Sequence, residues 1–375
     1  MSKLNQYILS NDFELPTVVI DVDIVEENYT RLKAGLGKAH IHYAVKSNPQ
    51  AEILERLVKL GCRFDAASKG EIELCFAAGA KPEHISFGNT IKRCEHIAWA
   101  YERGIRLFSV DSEQEIEKVA THAPGADVFV RVLVQSTEAE WPLSRKFGCS
   151  VSYVVPLMQL AQERGLNPVG LSFHVGSQTR HPHMWFDVLD YVAMAWNQAK
   201  DEGFELSLLN IGGGFPAYYG TDITEPEEYC STIMEAIHER FGDVEYIMAE
   251  PGRGMVGNAG MLVSTVLLTS HKTPGDTVRW VYLDVGRFHG LSETEGESIK
   301  YQFWVPGREL EDTDYCILAG PTCDSADVMY EKNQVLLPTG LTPGDKFVIL
   351  STGAYTTTYS SVSFNGIPPL QAIAI

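Results

Sequence analysis

Positive charge is scarce in these 375 residues: 30 lysines and arginines face 49 aspartates and glutamates, a formal net charge of −19. A surface this acidic argues against nucleic acid or anionic membrane as the main partner. No apolar run approaches the roughly 18 residues of a membrane span, and the N-terminal MSKLNQYILSNDFELP carries no apolar signal core. The seven cysteines (62, 75, 94, 149, 230, 316, 323) are odd in number, scattered and without a CxxC pair. That pattern argues against a disulfide framework or a zinc site, so no metal is expected and the default for each thiol is a reduced core residue. Collagen, disorder and coiled coil are excluded by composition, and no internal repeat is visible. With 45% hydrophobic residues the chain can bury at least one large core. The expectation is a cytoplasmic enzyme.

Short apolar, β-branched runs alternate with longer amphipathic ones. Strands are predicted at 40–48, 62–68, 85–89, 106–112, 127–134, 169–177, 206–214 and 246–253. Between them, helical patterns run over 51–60, 71–78, 95–103, 113–121, 156–164, 184–201 and 226–241. In the first, Ile53, Leu54, Leu57 and Val58 share one stripe. Several helices stop at a glycine (Gly61, Gly79, Gly104, Gly165), where a helix end wants positive φ. Eight such repeats, each strand apolar throughout, point to a (β/α)₈ TIM barrel; a doubly wound sheet is the rival, because strand count cannot show closure.

After residue 260 the pattern becomes strands at 261–270, 279–284, 315–318, 334–338 and 345–351 with turn-rich links. The expected organisation is therefore an N-terminal segment over 1–35 whose strand joins the β domain, a barrel over 36–260, and an all-β domain over 261–375.

In a barrel the C-terminal ends of the strands line the active site. Those ends here carry Lys46, Asp65, Asn89, Asp111, Arg131, His174, Ser177, Gly212, Gly213, Gly214, Glu250 and Arg253, a density that a structural core does not need. Taken alone, Lys46 reads either as a stem reaching solvent or as a Schiff-base amine. The glycine triplet after LSLLNI reads as a tight turn or as an anion cradle, for which Arg253, Ser177 and Tyr355 could supply a cation and hydroxyls. In AEPGR, Pro251 and Gly252 prevent a helix, so Glu250 and Arg253 can share a pocket or form a surface ion pair. His174 could be a core histidine or a flat ring stacked on a cofactor. A phosphate cradle, a Schiff-base lysine and an acid for a ring nitrogen together specify pyridoxal 5′-phosphate (PLP).

Six ordered motifs, HYAVKSN, FDAASKGEI, SFHVGSQ, IGGGFP, AEPGR and GPTCDSADV, resemble the alanine-racemase-fold PLP-dependent decarboxylases over residues 15–370, nearly the whole chain. That group acts on ornithine, lysine and diaminopimelate, and this sequence looks like the bacterial kind. The resemblance implies a barrel followed by a β domain, in a head-to-tail homodimer with shared active sites. It also implies that Lys46 holds PLP and His174 stacks on its ring. Ser177, Gly212, Gly213, Gly214, Arg253 and Tyr355 bind the phosphate, and Glu250, in the loop with Pro251 and Gly252, pairs with the pyridine nitrogen. Asp65, Glu71 and Arg131 match positions near the cofactor. A carboxylate at position 250 keeps the ring nitrogen protonated and the ring a strong electron sink, which suits decarboxylation; the racemases of this fold place an arginine there.

By the same resemblance Cys323 crosses from the partner subunit to return a proton to Cα. Asp324 binds the distal ammonium of a basic amino acid, because the diaminopimelate enzymes usually carry Cys-Glu there. Three glutamates (293, 295, 297) compete for a further substrate contact, with Glu295 the choice. The expected reaction is conversion of L-ornithine to putrescine and CO₂, with L-lysine as a second substrate. Preference for lysine or diaminopimelate, or a non-catalytic decarboxylase-like regulator, are the alternatives.

Overall fold

The computed structural model describes residues 1–134 and 146–375, and the chain divides into two compact units. One comprises Glu26–Pro216 and Ile223–Gly254; the other comprises Met1–Val25, Ala217–Asp222 and Met255–Ile375.

In the second unit, β1 (Thr17–Ile20) is fully buried and pairs antiparallel with Gly260–Ser270 and parallel with Gln371–Ala374. The first unit is the barrel, made of β2 (His40–Ala44), β3 (Arg63–Ala66), β4 (Ile85–Phe87), β5 (Leu107–Val110), β6 (Asp127–Arg131), β7 (Asn167–Ser172), β8 (Leu208–Asn210) and β9 (Tyr246–Ala249). All eight run parallel, and β2 pairs with β9 through His40↔Met248 and Ile41↔Ala249, which closes the ring and removes the doubly wound alternative. Helices cover the outside by amphipathic stripes: Ala51–Lys59 buries Ile53, Leu54 and Leu57, and ends before Gly61 at φ 76°. Val151–Glu163 begins earlier than the helix predicted at 156, with Pro156 inside it. An interior proline costs a helix about 3 kcal/mol, here offset by full burial of Val154, Leu157, Met158 and Ala161.

The strands end sooner than their apolar runs suggest. β2 stops at Ala44, and Val45–Ser47 coils into one 3₁₀ turn that carries Lys46; β8 is only three residues long. In each case the apolar pattern continues into the loop because residues flanking the barrel mouth are buried too.

The division differs from the expected limits at 35 and 260. The helix Val22–Leu36 carries its later half into the barrel unit: Arg31 pairs with Glu227 at 2.7 Å, and a Cβ on Gly35 would stand 2.6 Å from Cys230 Cβ. At the other end, Gly260 starts the strand that pairs with β1, so the chain leaves the barrel unit before residue 260. The rest of the second unit is a sheet whose strands Gly260–Ser270, Arg279–Leu283, Thr313–Ala319, Val335–Pro338 and Lys346–Leu350 match the five predicted runs.

Candidate active site

Lys46 follows β2 on a turn that is firmly held. Ser47 Oγ donates to Ala44 O at 2.8 Å, and Tyr43 OH donates to Asn48 O at 2.9 Å. The neighbouring Pro251–Gly252 segment packs directly on this turn: Ala44 N donates to Pro251 O at 3.2 Å, and a Cβ on Gly252 would lie 2.9 Å from Ser47 Cβ. The lysine is exposed at the barrel mouth.

Around it the strand ends gather opposite charges. Asp65, on β3, is buried and its carboxyl is pushed well up by burial and by the charge of Glu250, while Lys46 and Arg131 pull it down. Arg131 ends β6, lies 5.1 Å over the Phe147 ring, and is held charged by Glu250, Asp111 and Asp65 against the cost of burial. Glu71, at the start of the helix Lys69–Ala77, is pushed up by burial while the charge of Lys46 pulls it down, and its own charge adds to that raising Asp65. Ser68 caps that helix, and Glu71 accepts from Ala67 N at 2.7 Å.

His174 stands just past β7. Burial, then the charges of Arg131 and Lys46, hold its pKa well below the usual histidine range, so the ring is neutral at neutral pH. Its Nδ1 accepts the Gly176 N–H at 3.0 Å, which leaves the proton on Nε2. A flat neutral imidazole can lie against a ring without placing charge beside it.

The glycine triplet is a close-approach turn rather than a bare link. Gly212 has φ 68°, and a Cβ on Gly213 would stand 2.9 Å from Glu250 O and 3.1 Å from His174 Nε2. Glu250 N donates to Gly212 O at 2.8 Å, so the GGG and AEPGR loops are tied together. On the same rim, Arg253 is buried and donates to Ser177 Oγ from Nε at 3.3 Å and Nη2 at 3.2 Å. Beneath these loops an aromatic block fixes the floor: Trp185 Nε1 donates to Tyr229 OH at 2.7 Å, which donates to Thr179 O at 2.6 Å, and Thr179 N reaches Gly214 O at 3.0 Å.

The remaining expected residues lie in the second unit. Tyr355 has φ 54° and sits 5.8 Å, ring to ring, from Tyr359. Cys323 is the exposed one of the seven cysteines, its N–H donating to Asn365 Oδ1 at 2.9 Å. Asp324 is exposed and accepts from Ala326 N at 2.9 Å. Of the three glutamates, Glu295 is largely exposed and pairs with Arg287 at 3.4 Å, Glu297 accepts from Lys332 N and Asn333 N, and Glu293 is buried.

Two residues carry structural duties that sequence reading overlooked. Asp327 is buried and accepts from Arg287 N at 2.8 Å and Thr322 Oγ1 at 2.7 Å, filling space left by Gly286 and Gly320 and so shaping the loop that bears Cys323 and Asp324. Asn210, the last residue of β8, joins Glu250 to the glycine turn. An aspartate in a turn-rich stretch and an asparagine after two leucines give no signal of their own.

The donor set fits PLP. It offers an amine, a carboxylate for a ring nitrogen, a flat neutral ring, an arginine–serine pair for an anion, and a glycine surface that any side chain would obstruct.

Residues 22–257 match the family described as pyridoxal-dependent decarboxylase, pyridoxal binding domain. A lysine/ornithine decarboxylase of Selenomonas ruminantium is 34% identical over 369 residues, covering 96% of this chain and 89% of that one. An ornithine decarboxylase of Schizosaccharomyces pombe is 31% identical over 359 residues, 93% and 80% of the two chains. The crystal structure of a lysine/ornithine decarboxylase from Vibrio vulnificus complexed with cadaverine superimposes with a TM-score of 0.88 at 30% identity, covering 100% of this chain and 99% of that one.

Proposed function

The chain belongs to the pyridoxal-dependent decarboxylases, and on that premise we propose that its preferred reaction converts L-ornithine to putrescine and CO₂, with L-lysine as a second substrate. It is a PLP-dependent enzyme acting on basic amino acids. The observation that carries the finer reading is the pair Cys323–Asp324 on an exposed loop braced by Asp327: a thiol beside a carboxylate suited to a distal ammonium.

When bound, PLP supplies a ring that accepts the electron pair released as the bond from Cα to the carboxylate breaks. Lys46 would hold the cofactor through its amine. Glu250 would pair with the ring nitrogen and keep it protonated. His174, neutral because it is buried beside Arg131 and Lys46, would cover one ring face without competing for the nitrogen's charge. Arg253 and Ser177, already paired, would take the phosphate with the Gly212, Gly213 and Gly214 amides, and Tyr355 would add a hydroxyl. Asp324 would receive the substrate's far ammonium, which in a closed site needs a carboxylate partner. As CO₂ leaves, Cys323 would deliver one proton to Cα, replacing the lost group. We place Cys323 and Asp324 in the partner subunit's site, in a homodimer, with Glu295 as a further contact to the substrate.

Ornithine and lysine differ by one methylene, worth about 1–3 kcal/mol in a pocket, so dual use is physically easy. The test is amine production with PLP from L-ornithine, L-lysine, L-arginine and meso-diaminopimelate in parallel. Putrescine as the main product supports the reading, and lysine released from diaminopimelate would overturn the role given to Asp324.

A further inference from the structure

We propose that Asn210 is a positioning residue that sets two parts of the PLP site with one amide: the placement of the Glu250 carboxylate and the shape of the Gly212 turn. This inference rests on the PLP reading of the site.

The amide has no freedom to choose its orientation. The Gly212 N–H can only donate, so Asn210 Oδ1 must face it, and does so at 2.9 Å. Nδ2 therefore points the other way, and donates to Glu250 Oε1 at 2.5 Å. The side chain cannot swing aside: Asn210 is 1% exposed, its strand lies between β7 and β9, and its own C=O accepts from Phe173 N at 3.1 Å. Donation thus runs in one direction, from the glycine turn through the amide to the carboxylate.

Two consequences follow for the cofactor. A carboxylate whose Oε1 accepts from Asn210 is fixed in orientation, and its remaining lone pairs are left for a protonated ring nitrogen. The N–H of Gly212 is held by Asn210 Oδ1, so the turn keeps φ 68° and the open surface at Gly213. Asp65 from β3 and Arg131 from β6, of opposite sign, also bear on Glu250.

Substitutions separate the two roles. Asn210→Asp keeps an acceptor for Gly212 N–H but sets a second carboxylate against Glu250. Like charges at hydrogen-bond distance cannot both stay ionised, so a proton enters the pair. Asn210→Ala removes both bonds. The measurements are PLP affinity, read by quenching of tryptophan fluorescence in apoenzyme, and the pH dependence of the bound cofactor's visible absorbance. For Asn210→Ala the expected result is PLP affinity about tenfold to a hundredfold weaker, the range for losing a hydrogen bond to a charged group. For Asn210→Asp it is an absorbance titration displaced by about one pH unit or more, with the displacement absent in a Glu250→Gln background.

If Asn210→Ala fails to fold, the isosteric Asn210→Asp decides. A merely structural role would lower thermal stability without moving the titration, and that outcome overturns the proposal, as does wild-type affinity and titration in both variants. Wild-type protein that bound no PLP would overturn the cofactor reading itself, and the inference with it.

Discussion

Asp65 occupies the space that a side chain at position 88 would need: a Cβ added to Gly88 would overlap its Oδ1. The two residues sit on adjacent strand ends of the barrel, and Ser86 Oγ contacts the same carboxylate oxygen at 3.4 Å. The missing side chain at 88 is thus what lets a buried carboxylate stand among Lys46, Arg131 and Glu250.

Gly88→Ala must therefore displace Asp65 or the strand end. Overpacking of this kind costs about 1–3 kcal/mol. A lower urea midpoint together with weaker PLP binding is expected, and an unchanged midpoint would contradict the packing described.

The histidine at 174 predicts a pH dependence. Its folded pKa is depressed, so below about 6.5 the unfolded chain takes up a proton that the native ring refuses. Stability consequently falls as pH drops through that value, at up to about 1.4 kcal/mol per pH unit for this group. His42 is depressed in the same sense, whereas the raised Asp65 acts oppositely, from the ordinary aspartate value upward to its raised folded one. Urea unfolding of apoenzyme between pH 7 and 5 should show a shallower loss for His174→Phe than for wild type; equal slopes would mean that the ring is protonated in the native state.

The proposed sharing of sites across a homodimer predicts complementation. Lys46→Ala and Cys323→Ala homodimers should each have severely reduced turnover. Mixed and reassembled, they should recover part of the wild-type activity, because one of the two sites then has both residues. Heterodimers that form without any recovery would place the lysine and the cysteine in separate sites.

Asp324→Asn removes the charge assigned to the distal ammonium. Truncating one partner of a buried, hydrogen-bonded charge pair costs about 2–5 kcal/mol, so kcat/KM for ornithine should fall by about 30-fold or more. The loss should lie mainly in KM, with bound PLP unchanged. An unaltered kcat/KM would transfer the role to one of the glutamates between 293 and 297.

The barrel was legible because eight apolar, β-branched runs keep their spacing, and the rim was legible because Lys46, Arg131 and Glu250 interrupt or end such runs. What misled was continuity: Val45 is as buried as the strand before it, so the pattern could not mark where β2 stops and the turn with Lys46 begins. The helix Val22–Leu36 escaped because its buried stripe Val22, Val25, Asn28, Leu32 and Leu36 is interrupted by the polar Asn28. Asn210 and Asp327 escaped for a different reason. Their roles depend on partners 40 residues away in sequence, Glu250 and Arg287, which no local pattern relates to them.

The central claim is that the cofactor is held by Lys46, and it can be tested at the level of the bond. PLP-loaded enzyme would be reduced with borohydride, digested, and its peptides mapped by mass spectrometry. The expected result is a pyridoxyl adduct on Lys46 and its disappearance in Lys46→Ala. An adduct on any other lysine, or none on wild-type protein that has bound PLP, would contradict it.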